Sequence, residues 1–361
     1  MRKSMSMRFG RAAAAQVLGL ALAAAPSGAA AGEMAKQKLS EKPIDVLGGR
    51  LKVRVPGDAK IRPRGHGIMA APVSPEEETR VFLEAGEEKL VLMVNETFQT
   101  AGDDFGRRIE AELNDPGADP PAFKVEAFEL QSPASRDLPC FIVVPTDMRA
   151  RGDAVLLRLA FLGLKDKTVL TLGVYVNPKA FEDRPACERL AAEILASAEP
   201  GPKKLEISGG KRSLGGLEVT VPENWVLTAQ DGPDFTVWHF VVLSPFGSQQ
   251  KTLSLYRGEH PSWAHDQAFR GRSDAPPVSM ADGTFLGQKT SWHSWSVGEG
   301  EDVRRHCEAM IQDPAGGEFP LAFHVFMSAG DELGLAEMRA VAEKMVAEKP
   351  KAQAPQPEGP R

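Results

Sequence analysis

Leu47–Pro56 reads LGGRLKVRVP, and Leu214–Pro222 reads LGGLEVTVP, the same string with one residue deleted. Each alternates apolar and polar residues behind a Gly-Gly pair and stops at a proline, the pattern of a half-buried strand closed by a breaker. The two prolines stand 166 positions apart. Cys140 in LPCFIVV and Cys307 in RHCEAMI, both in strand-like runs, stand 167 apart. Two landmarks at nearly one offset read as a tandem repeat of a single domain.

Working outward, the first unit spans 44–198. Strand patterns fall near 49–55, 79–85, 89–96, 123–130, 139–145, 154–163 and 168–176. Phe105, Ile109 and Leu113 recur every four residues and predict a helix over 103–113. A closing helix over 182–197 carries Leu190, Ile194 and Leu195 on its apolar face. The second unit, 205–347, has strand patterns near 216–221, 235–243, 251–257, 284–296, 303–312 and 319–327. A helical or loop segment covers 262–270, and a closing helix over 331–347 carries Leu335, Met338, Val341, Met345 and Val346. On this count the first unit has one more strand before its closing helix than the second. Residues 199–204, within SAEPGPKK, read as a linker, and 348–361 (EKPKAQAPQPEGPR) as a disordered Pro-rich tail. Antiparallel strands with helices at the middle and end of each unit predict an α+β fold, two tandem antiparallel sheets each covered by helices.

This order of elements, with the opening GGLEVTVPENW of Gly215–Trp225, resembles the PsbP-like superfamily of α/β/α sandwiches. Leu51–Pro56 repeats the opening strand without the tryptophan, since Pro56 is followed by Gly57-Asp58-Ala59. The resemblance implies an accessory or binding protein with no catalytic residues to carry over. Tandem units of this type are also similar to exported immunity proteins that neutralise lipase effectors of type VI secretion. Fold alone does not fix function.

The N-terminus has the three zones of a secretory signal. Arg2, Lys3, Arg8 and Arg11 form a basic region, Ala12–Ala25 an apolar run too short to span a bilayer, and Ala29-Ala30-Ala31 the small residues before a cut. Residues 1–31 are therefore expected to be removed, leaving an exported, periplasmic or extracellular protein with no stable membrane insertion. Losing four positive charges takes the formal charge from −6 to −10. That balance excludes a basic nucleic-acid binder and favours a neutral or basic protein partner in the cell envelope.

All five tryptophans and six of the seven histidines fall in the second unit. His260 and His265 lie in EHPSWAHD beside Glu259 and Asp266, and His293 lies in SWHSW between Trp292 and Trp295. Imidazoles and carboxylates suit a zinc-type ion. However, His260 and His265 are five apart across Pro261, and no HExxH, Cys-x-x-Cys or Asp-rich calcium loop is present, so no cofactor is expected. Trp238, Phe240 and Val242 share one strand face and read as core, with His239 on the other. Trp292 and Trp295 differ by three and face opposite sides, which leaves at least one of them available to a partner. Trp263, Trp292, Trp295 and His293 are the candidate recognition residues.

The three cysteines allow one bridge, Cys140–Cys187 being the natural pair, or three buried thiols, the reading that the residues favour. His306 beside Cys307 has the look of a base and nucleophile, but strand neighbours point to opposite faces. No GxSxG, GxxxxGK[ST] or GxGxxG occurs. The sequence thus predicts an exported non-catalytic binding protein that uses its second unit. An immunity protein against a periplasm-acting effector, and a hydrolase or metal enzyme with a His-containing site in the second unit, are the alternatives.

Overall fold

Paired glycines and alternating side chains build two large sheets on one plan. The computed structural model describes residues 36–62, 80–85, 90–115, 120–147, 154–178, 183–259, 261–300, 303–313 and 321–347. The expected signal segment 1–31 and tail 348–361 lie outside these. In the first half the elements are β1 (Ile44–Val46), β2 (Leu51–Val53), β3 (Lys60–Arg62), β4 (Arg80–Ala85), β5 (Leu90–Thr100), α1 (Phe105–Leu113), β6 (Phe123–Ala127), β7 (Cys140–Pro145), β8 (Val155–Gly163), β9 (Thr168–Val176), α2 (Arg184–Ala196) and β10 (Glu199–Pro200). The second half has β11 (Ile207–Leu214), β12 (Leu217–Asp231), β13 (Phe235–Val242), β14 (Ser244–Pro245), β15 (Thr252–Gly258), α3 (Ala264–Ala268), β16 (Ser279–Phe285), β17 (Gln288–Val297), β18 (Arg304–Gln312), β19 (Ala322–Ala329), α4 (Glu332–Glu343) and β20 (Val346–Ala347). The fold is α+β and mostly strand.

The first sheet runs β3-β4-β5-β9-β8-β7-β6 and the second β11-β12-β13-β15-β19-β18-β17-β16. Without β11 the two orders are one topology: three strands in sequence, a crossover, then four strands returning in reverse. The quoted strings occupy equivalent places. β2 pairs with β1 and with β10 in a separate three-stranded sheet, while the start of β12 pairs with β11 and with β20. In the first half Pro56-Gly57 breaks this strand into β2 and β3, whereas β12 continues through Pro222 by placing Asn224 at φ 65. The β11–β12 turn is made by Gly215 and Gly216 at φ 58 and 87, a pair of positive values that a two-residue hairpin requires.

Two expectations change. The run 284–296 is not one strand: β16 and β17 form a hairpin about Leu286 and Gly287, both at positive φ (50 and 77). Both halves therefore have four strands between the central segment and the closing helix. A leucine at positive φ is rare, so nothing in the sequence advertised the turn. The cysteine spacing is also no mark of the repeat. Cys140 lies on β7, whose counterpart is β17, whereas Cys307 lies on β18.

Helices cover the faces unequally. α2 places Cys187, Leu190, Ala191, Ile194 and Leu195 on one face of the first sheet, against Leu92, Leu172 and Val174. α1 seals the opposite face with Phe105, Ile109 and Leu113 packed on Val143, Leu159, Phe161 and Val169. Three such side chains contribute about 1.5–3 kcal/mol each. In the second half α4 covers the face that holds Trp238, Phe240, Leu255, Trp292 and Val325. The other face is the subject of the next section.

The halves are fastened together. Residues 199–205 lie along the first half: β10 pairs with β2, Gly201 N donates to Arg50 O and Leu205 N to Asp166 Oδ2. β14 adds parallel to the end of β5, and the next residue, Phe246, enters the space beneath α1, edge-on to Phe105 at 5.3 Å and Phe161 at 5.2 Å. In return a bulge in β5 puts Phe98 at φ 53 and turns its ring onto Val226 and Val241. Beside it Arg50 is ion-paired with Glu96 and Asp166 and donates to Thr168 Oγ1 at 2.6 Å.

Candidate functional site

Strand parity sorts the unusual side chains of the second half. Trp292, Cys307, Val325, Leu255 and Trp238 point toward α4, so their neighbours His293, Trp295, His306, Glu308, His324, Phe326, Ser254, Tyr256 and His239 project from the opposite, outer face. Register aligns His293, Glu308, Phe326, Ser254 and His239 in one row across β17, β18, β19, β15 and β13. Beside it His306 is stacked between Trp295 and Phe326, at 5.3 and 5.6 Å. His239 Nδ1 meets Ser254 Oγ at 2.9 Å.

The segment 261–278, which joins β15 to β16 and contains α3, crosses one side of this face as a strap. Its anchor is Glu308, whose side chain is 0% exposed. Glu308 accepts from Ala264 N at 2.7 Å and His265 N at 3.2 Å, and its Oε2 lies 2.7 Å from His324 Nε2. Trp263 stacks on His293 at 4.2 Å and meets His324 edge-on at 6.0 Å. His265 lies over Trp295 at 5.1 Å and turns Nε2 to Pro276 O at 3.0 Å. Away from the strap, Val237, His239, Tyr256, Met310 and Phe326 are half-buried, and Met280 on the edge strand β16 is 69% exposed.

The sequence candidates separate accordingly. Trp292 and Trp295 do face opposite sides, yet both are buried, at 0% and 6% exposure. Trp292 sits in the α4-side core beneath the Arg339 guanidinium, and Trp295 lies under the strap. The expectation that one of the pair is exposed fails because 261–278 folds back over β17. Trp263 and His293 remain half-buried at the strap's outer edge. His260 lies outside the described residues, and among those described no group of three or more His, Cys, Asp or Glu side chains could hold a metal ion. Cys140, Cys187 and Cys307 are buried thiols outside any disulfide, so the Cys140–Cys187 pair is not bridged. Burial pushes the Cys140 thiol up to about 12 and, with Asp183 and Glu188 nearby, that of Cys187 up to about 11, which makes both inert. His306 and Cys307 lie on opposite faces. Sequence reasoning passed over Glu308 and His324. Alternation within RHCEAMIQ and AFHVFMSA places each on the outer face, but only the pairing of β18 with β19 brings them together.

Burial, reinforced by the Arg304 charge and only partly offset by Glu308, lowers the His306 pKa to about 4. A histidine depressed in the folded state contributes stability above its unfolded value of about 6.5 and loses it as the pH falls through the folded value. Urea unfolding followed by tryptophan fluorescence is therefore expected to show stability falling between pH 6.5 and 4, and His306→Phe to flatten that slope. An equal slope in the variant would refute the assignment.

No family model matches the chain, and no curated protein matches it. Two solved structures align along most of its length. One is the apo immunity protein TplEi of T6SS from Pseudomonas aeruginosa, at 9% identity over 88% of this chain and 99% of that one, with a TM-score of 0.24. The other is the same immunity protein complexed with "L" peptide, at 7% identity over 85% and 97%, with a TM-score of 0.21. Likeness at these scores carries no argument about this chain, and nothing in these comparisons supports the PsbP-like resemblance. Among the described residues no helix is long and apolar enough to cross a membrane.

Proposed function

We propose that the protein is an exported, non-catalytic binding protein of two repeated units, 44–198 and 205–347, which recognises a protein partner through the outer face of the second. One observation carries this reading. The first sheet's outer face is sealed by α1, whereas its counterpart leaves Trp263, His293, Tyr256, Phe326 and His239 half-buried in one continuous polar-aromatic surface. Aromatic side chains with a polar end are the groups that anchor protein interfaces. The signal-like N-terminus supports a site of action in the cell envelope, and the acidic mature chain favours a neutral or basic partner.

The mature chain, 32–361, cross-linked in a cell-envelope extract of its source organism, is expected to retain one stoichiometric protein. Trp263→Ala, measured against that purified protein, should weaken affinity about tenfold or more. Absence of a partner, or affinity indifferent to Trp263→Ala and to Tyr256→Ala, would sink the proposal. A captured hydrolytic effector whose activity falls on adding the protein would make this an immunity protein. Turnover of a substrate dependent on His265 or His293 would instead favour an enzyme.

A further inference from the structure

The segment between the third and fourth strands of the common topology is held down differently in the two halves. In the first it is α1, nine residues long, with three apolar side chains buried in a shared core. In the second, none of the residues 261–278 is buried, and α3 is five residues long with no buried side chain. What fixes the strap is polar and local: two backbone N–H groups on the Glu308 carboxylate and the Trp263 ring on His293. Two ring contacts add to these, His265 over Trp295 and Trp263 edge-on to His324, and the rest are internal, His265 to Pro276 and Phe269, and Arg272 to Phe269 and Asp274. Segments with few buried apolar contacts open below the global unfolding free energy. Beneath this one lie Trp295, Glu308 and His324, all buried while it is closed.

We infer that 261–278 is a hinged strap, caught by Glu308, that opens as a unit and adds Trp295 and His324 to the partner-binding surface. The inference rests on the binding reading above for the use of the opened face, but not for the opening itself. The chemistry of the catch is specific. A carboxylate can accept both amide protons and the His324 proton at once, and an amide side chain in its place cannot. The ladder of Trp295, His306 and Phe326, covered by the strap at its Trp295 end, already stands in stacked order, so opening requires no rearrangement of the sheet.

The test is hydrogen exchange of the full mature chain without any partner, read by peptide mass spectrometry. The wild type is expected to exchange 261–278 ahead of β18 and β19. Glu308→Gln and, separately, Trp263→Ala should speed exchange of the strap about tenfold or more while leaving β18 and β19 unchanged. Trp263→Ala changes a half-buried residue of the strap and none of the sheet, so it decides the matter if Glu308→Gln damages the fold. Strap protection equal to that of the sheet in the wild type would overturn the inference. So would exchange that rises uniformly over the second half, or not at all, in Trp263→Ala. Because no partner is present, failure of the strap leaves the binding reading to its own capture experiment, and failure of capture leaves the strap standing.

Discussion

The Arg50→Met variant is expected to lose about 3–5 kcal/mol of stability in urea unfolding at neutral pH. Arg50, Glu96 and Asp166 are nearly inaccessible, with side-chain exposures of 8%, 4% and 14%. Burial draws the Arg50 pKa below its usual value, with the charge and hydrogen bond of Asp166 opposing that. Burial also raises the Asp166 carboxyl, but bonds from Thr168, the Arg50 charge and the Leu205 amide outweigh it and leave the group below its ordinary value. A carboxylate so depressed contributes stability above its unfolded pKa and loses it as the pH falls through the folded one. Removing the guanidinium leaves both acids buried without the counter-charge they share. The triple variant Arg50→Met, Glu96→Gln, Asp166→Asn should recover most of the loss, since deleting a whole buried ionic group is far less costly than deleting one partner. A single variant within about 1 kcal/mol of wild type would show that the network contributes little.

Phe246→Ala is expected to cost a similar amount, about 3–5 kcal/mol, and to change the form of unfolding as well. The ring fills a space between α1 and the first sheet that no first-half side chain occupies, and its backbone is bonded there: Phe246 N donates to Thr100 O at 3.0 Å and Arg108 Nη1 to Phe246 O at 3.2 Å. Emptying the space opens a cavity and loosens the main tie between the halves. All five tryptophans lie in the second half, so their fluorescence reports that half alone, while far-ultraviolet dichroism reports both. In the wild type the two probes should trace one transition, and in Phe246→Ala they should separate. Coincident curves with a shift below about 1 kcal/mol would place the tie elsewhere.

Much of the framework is readable from residue order because its determinants are local. The strand alternation behind the Gly-Gly pairs, the α1 periodicity of Phe105, Ile109 and Leu113, and the closing helices all depend on near neighbours in sequence. What escaped depends on distant ones. Leu286-Gly287 forms a turn against leucine's own preference because β16 and β17 both find partners in register. Trp295 is buried because a strap folds back over it, which no feature of SWHSW announces. The largest omission, Glu308, follows from the same limit. A lone glutamate in an apolar strand looks like an outward solvated charge, and becomes an anchor only when two amides of the strap and a histidine of β19 converge on it.

The fit of Phe246 between the halves is one-way: a ring of the second half enters the first. A duplicated unit that docks its neighbour head-to-tail can in principle keep growing into an open-ended fibre. Here β13 and β15 are separated by the nine residues 243–251 that bear the plug, whereas β4 and β5 are separated by only the four residues 86–89. In the second half the strap, with no buried side chain in α3, lies where α1 and its apolar socket lie in the first. The Phe246 contact therefore joins two unlike partners, a plug-bearing connection and an apolar socket beneath α1.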